Sequence, residues 1–202
     1  MTNKPNVNVC SALNGVTIIK KQKQLECSII APNSKTILAV SSTPVLEKCD
    51  GEGKFIKVEG LVYTKVLYED IDGTNCVVDN KCSFADVIDV GDAATDFSCL
   101  GNVVLSDLDF KTNSADEIKA NFVLNFEICV FGENEAQYVE CDSEGLCTLP
   151  TEVQISTLLD ASTESFAESF EVELGKNVAR VLDCSATATV KDVSVSGSQI
   201  LI

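Results

Sequence analysis

The chain has no histidine and no tryptophan, and Arg180 is its only arginine. Without imidazole, Ser-His-Asp and Cys-His nucleophilic catalysis, histidine metal sites and histidine proton transfer are all excluded. Acidic residues outnumber basic ones 31 to 15 and the net charge is -16, so phosphate backbones and anionic lipid surfaces are repelled, and neither nucleic acid nor membrane is expected as a partner. No stretch approaches the ~20 consecutive apolar residues of a membrane span. The opening run from Met1 to Cys10 carries one lysine and no apolar core, so no secretory signal is expected. A glycine-rich phosphate loop is also missing.

The acidic residues themselves suggest no chemistry. Asp107/Asp109 and Glu171/Glu173 share a strand face by their two-residue spacing, which reads as solvated surface rather than an acid/base pair. The run Asp70-Ile71-Asp72-Gly73-Thr74-Asn75 lacks the third Asp and the distal bidentate Glu of a calcium loop, and reads as a hairpin turn. No catalytic residue, metal site or cofactor is therefore expected, and the chain does not read as an enzyme.

What the chain has in excess is cysteine, ten in 202 residues. A chain of this length buries about 70% of its unfolded surface and needs no staple for stability, so the thiols require another explanation. No Cys-x-x-Cys occurs. The closest spacings, Cys76 to Cys82 and Cys141 to Cys147, each enclose five residues, too many for a zinc knuckle. Val77-Val78-Asp79-Asn80-Lys81 and Asp142-Ser143-Glu144-Gly145-Leu146 contain turn formers, so each pair can face across a reversal and form an intrachain disulfide. The alternative is half-buried thiols acting as small hydrophobes.

The sequence repeats itself. Ser83-Phe84-Ala85-Asp86-Val87-Ile88-Asp89-Val90 recurs as Ser165-Phe166-Ala167-Glu168-Ser169-Phe170-Glu171-Val172, and the stretch from Ile56 to Tyr68 has a counterpart from Ile118 to Val130. In the second of these Ile118, Ala120, Phe122, Leu124, Phe126, Ile128 and Val130 alternate with polar residues, which predicts a long strand with one buried face. In the first, Ile56, Val58, Val62, Val66 and Tyr68 point inward, and Gly60 leaves room for a bend or bulge. Further strands are expected at 16–20, 25–30, 36–41, 97–110, 136–141, 151–159, 170–174 and 178–195, with 161–169 the only short helical candidate. The expected fold is all-β: an extended N-terminal arm over 1–15, then two repeated antiparallel β-sandwich or barrel-like modules, 16–110 and 111–202.

The stretch from Phe55 to Tyr68, followed by Ser83 to Val90, resembles the SPOCS domain family, repeats found in sporulation and spore-coat proteins of anaerobic spore-forming bacteria. The resemblance spans roughly residues 20–202, as two units and a fragment. It implies a place on the spore surface: synthesis in the mother-cell cytoplasm, then oxidation of the thiols to cross-links once that cell lyses. The function implied is a structural subunit that self-assembles into a disulfide-cross-linked filament or coat layer; the alternative is an adaptor module docking other spore-coat proteins.

Assembly is expected to use the chain's two ends. The first fifteen residues, with Pro5 and four asparagines, read as an arm carrying Cys10 as an intersubunit cross-link. Val16, Thr17, Ile18 and Ile19 follow as a strand, and Ile200, Leu201 and Ile202 end the sequence where a third repeat is cut short. Adding one end to the other between copies makes a head-to-tail homo-oligomer that does not close.

Overall fold

The computed structural model describes residues 6–91, 97–140, 154–158, 168–175, 181, 184, 186, 188–197 and 199–201. The protein is all-β, and the chain divides into two compact units, Met1–Phe166 and Ala167–Ile202. In the first unit lie β1 (Asn6–Ile30), β2 (Ser34–Glu52), β3 (Phe55–Asp70), β4 (Asn75–Asp89), β5 (Phe97–Ser114) and β6 (Glu117–Glu140). Their ladders make two antiparallel three-stranded sheets, ordered β1-β6-β5 and β2-β3-β4.

The two long alternating strands of the sequence are the centres of these sheets. Ile56, Val58, Val62, Thr64, Val66 and Tyr68 of β3 are buried, as are Ile118, Ala120, Phe122, Leu124, Phe126, Ile128 and Val130 of β6. A strand turns alternate side chains to one face, so each sheet offers the other one continuous apolar layer. Phe84 of β4 meets Phe126 of β6 edge-on at 5.5 Å between ring centres, which ties the two sheets together.

Where two sheets must close over one core, the connections matter. The arch at Ala31–Asn33 carries the chain from one sheet to the other, with Asn33 at φ 55°. Its backbone is held by Ala31 N–H to Asp116 O (2.9 Å) and Ser34 N–H to Ala115 O (2.6 Å), while the Tyr68 hydroxyl donates to Pro32 O (3.2 Å). The expected turn at Asp70–Asn75 is present: Asp70 Oδ1 accepts from the N–H groups of Asp72 and Thr74, and Gly73 takes φ 77°. Gly60 sits where expected, opposite a register shift between Leu46 and Lys48.

Several expectations are corrected. The division into modules 16–110 and 111–202 is not a boundary, because β1 pairs with β6 from Asn6↔Glu140 to Ile30↔Glu117 and both belong to one core. The arm over 1–15 is not free either: from Asn6 onward it is the start of β1. The expected strands at 151–159 and 170–174 do not form among their described residues, and among the described residues of 178–195 only Ser194 and Val195 lie in a strand, β7 (Ser194–Ser196); 151–153, 159, 178–180, 182, 183, 185 and 187 lie outside the described residues. The 161–167 part of the helical candidate lies outside the described residues, and 168–169 is not helical. In the second unit β7 pairs with β8 (Gln199–Leu201) around Gly197, φ 62°.

Replacing Phe126 by Ala removes the ring that Phe84 packs against and should lower unfolding free energy by about 3–5 kcal/mol. A Cβ at Gly60 would overlap the Val45 carbonyl oxygen and the Phe84 ring, so Gly60→Ala should cost about 1–3 kcal/mol. Urea denaturation under reducing conditions checks both, and a loss below 0.5 kcal/mol in either contradicts the packing described.

Candidate functional site

The two sheets stack with β5 beside β2 and β1 beside β4, but no ladder joins either pair. The sandwich thus has two seams closed by side chains alone, and each seam holds a pair of thiols.

Along the β2/β5 seam the strands run antiparallel. Gly51 lies against the Phe97 ring, Cys49 against Cys99, and Leu46 and Cys49 against Gly101. The Sγ atoms of Cys49 and Cys99 are 3.7 Å apart, and Cys99 Sγ also approaches Cys49 O at 3.4 Å. Gly101 makes this possible, since a Cβ there would stand 2.6 Å from Leu46 Cδ2 and 2.9 Å from Cys49 Sγ. The thiols border a half-open cleft of about 240 Å³. Burial, then the neighbouring Cys99 and Asp50, pushes the Cys49 thiol up to about 12, and burial and Asp50 also raise Cys99.

At the β1/β4 seam Cys27 Sγ accepts from Asn80 Nδ2 at 3.2 Å, and Cys82 lies two positions beyond Asn80 on the same strand. Burial, followed by the Cys27 partner, pushes Cys82 up to about 12. Farther along, Lys21 Nζ donates to Val87 O (3.0 Å) and pairs with Asp86 (3.2 Å), and Lys23 Nζ donates to Ala85 O (2.9 Å). Burial alone would raise Asp86, but the hydrogen bonds from Lys21 and Val87 and the charge of Lys23 outweigh it and hold the carboxyl low.

The expected partners are therefore replaced. Cys76 and Cys82 stand six positions apart in the single strand β4, roughly 20 Å at ~3.3 Å per residue, far beyond the reach of a disulfide. Asp79 and Asn80 lie within that strand, not in a turn, and Cys76 Sγ contacts Asp70 Oδ2 at 3.8 Å. Cys141 and Cys147 lie outside the described residues. Sequence reasoning missed Cys27, Cys49 and Cys99 as partners, because their partners are distant in the chain.

The expected assembly residues have partners in their own chain. Val16, Thr17, Ile18 and Ile19 pair with Phe131, Val130, Cys129 and Ile128 of β6, while Ile200 and Leu201 pair with Val195 and Ser194; Ile202 lies outside the described residues. Cys10 is half-buried, its Sγ 3.6 Å from Ala136 O. Among the described residues the β1/β6 ladder outruns the rest of its sheet: β5 pairs with β6 as far as Gly132, and Asn6–Leu13 and Glu133–Glu140 continue beyond it as a ribbon of two described strands. Leu13 N–H donates to Ser156 O at 2.6 Å, near the base of that ribbon. Among the described residues no group of three or more His, Cys, Asp or Glu side chains could hold a metal ion.

The raised thiols carry a pH signature. A thiol near 12 in the fold and at its ordinary 9.0 when unfolded favours the folded state while both are protonated. That contribution is whole below 9.0 and is lost as pH rises toward about 12. Denaturation midpoints of the reduced protein should fall across this window, and the Cys49→Ser/Cys82→Ser variant should lose less than the parent; equal losses contradict the assignment.

No protein-family model, curated protein or solved structure matches the chain.

Proposed function

We propose that this chain is a structural subunit that self-assembles into a disulfide-cross-linked filament or layer on the bacterial spore surface, with no enzymatic step and no cofactor. The observation that carries the reading is the β1/β6 ribbon. A two-stranded ribbon standing beyond its sandwich is marginal in water and gains from a third strand. Past Gly132 the second edge of β6 meets no strand among the described residues, and an edge of this kind can take up an added strand. The ribbon also exposes Val9 (52%) and Tyr138 (45%), apolar surface that a neighbour would cover.

The occupant that fits is a second copy of the chain. An edge accepts any extended backbone, and a contact between different surfaces of identical subunits repeats without closing, which builds filaments. Cys10 lies on the ribbon and would place a thiol at the junction. The resemblance of the Phe55–Tyr68 and Ser83–Val90 stretches to the SPOCS family supports the spore-surface setting, where thiols made in a reducing cytoplasm are later oxidised.

Negative-stain microscopy after oxidation tests the reading. The full chain should form fibres or sheets, a chain lacking residues 1–13 should stay a folded monomer, and Cys10→Ser should give assemblies that dissociate at lower denaturant. Monodisperse particles from the full chain would favour an adaptor that docks other coat proteins. Fibres of unchanged resistance from the deletion would remove the ribbon from the mechanism.

A further inference from the structure

We propose that Cys49–Cys99 and Cys27–Cys82 are intrachain disulfide sites, formed by exchange with a low-molecular-weight disulfide, that close the two seams of the sandwich covalently. The inference concerns the monomer and stands apart from the assembly reading.

Geometry selects these pairs. Cys49 and Cys99 occupy facing positions on neighbouring antiparallel strands, with Sγ atoms 3.7 Å apart, so side-chain rotation need close only the remaining distance to a bond of about 2.05 Å. Gly101 keeps the volume beside Cys49 clear, and the half-open cleft admits a small reagent to both sulfurs. Across the sandwich, Asn80 donates to Cys27 Sγ at 3.2 Å, which brings β4 against β1 two positions before Cys82, and both thiols pack against the core. Each seam lacks a hydrogen-bonded ladder, and each brings together one thiol from either sheet.

The chemistry balances. One protein thiolate attacks a sulfur of the small disulfide RSSR, forming a mixed disulfide and releasing one RS⁻. The partner thiolate then attacks the protein sulfur of that mixed disulfide, forming the Sγ–Sγ bond and expelling the second RS⁻. The two protein thiols lose two protons and two electrons, and RSSR leaves as two RSH. At the β2/β5 seam Cys99 is suited to the first attack, because Cys49 donates a hydrogen bond to its sulfur and so favours its thiolate. Cys49 and Cys82, held so high, ionise little near neutrality, which slows exchange at these two sulfurs.

Purified reduced full-length protein, kept dilute and monomeric, should be treated with oxidised glutathione and mapped by non-reducing peptide mass spectrometry. Linked peptides should join Cys49 to Cys99 and Cys27 to Cys82, with two hydrogens lost per bridge. The monomer's Tm should rise by roughly 10 °C, as expected for loops of this length, and fall back on reduction. Cys49→Ser and Cys82→Ser should each lose its own bridge and part of the rise. Glutathione adducts that never resolve, links between other cysteines, a single bridged seam, or an unchanged Tm would each overturn the proposal. The readout is a monomer's mass and Tm, so its failure is distinct from a failure to form fibres.

Discussion

The structure depends on one constraint: β3 and β6 each present seven successive inward positions to a single shared core. Their burial is worth about 1.5–3 kcal/mol for each large apolar side chain. By contrast, ion pairs such as Lys20–Glu127 at 3.4 Å stand in solvent and contribute about 0–1 kcal/mol. Within the sandwich, up to Gly132 on β6, each central strand has a neighbour on both backbone edges and the opposite sheet on one face. The outer strands are placed by ladder bonds to these two, and the seams lie where the outer strands of one sheet meet those of the other without a ladder.

That arrangement explains which small residues stand where. At Gly51, Gly60 and Gly101 a side chain would strike Phe97, Phe84 or Cys49, so glycine sets how closely strands or sheets approach. The two seams use different side chains for the same purpose. One combines a thiol pair with the Gly51–Phe97 contact, while the other combines a thiol pair with Lys21 and Lys23, which bridge to the backbone and to Asp86.

Much of the core was legible because a period of two reports directly on burial, and the residues read as inward on β3 and β6 are the buried ones. The Asp70–Gly73 turn was legible through its local chemistry. The thiol partners were not, for a physical reason: counting by twos from Leu46 makes Lys48 inward and Cys49 outward, but the bulge between Leu46 and Lys48 reverses the parity and turns Cys49 to the seam. Asp79 and Asn80, turn formers by type, are held in β4 by fifteen paired positions along β3. The pairing of β1 with β6 left no local trace, since nothing in the composition of 6–30 names a partner at 117–140.

The pairing of the first strand with the last of the six also sets an order of events during synthesis. Sheet β2-β3-β4 is contiguous in sequence and has all its strands once residue 89 has emerged. Asn6, in contrast, waits for Glu140, and Ile30 waits for Glu117. At about 5–20 residues per second, several seconds separate the emergence of β1 from that of its partner β6. Lys21 and Lys23, charged residues at its inward positions, make it a poor template for stray strands in that interval, and the ions that close a seam in the finished protein guard the unfinished one.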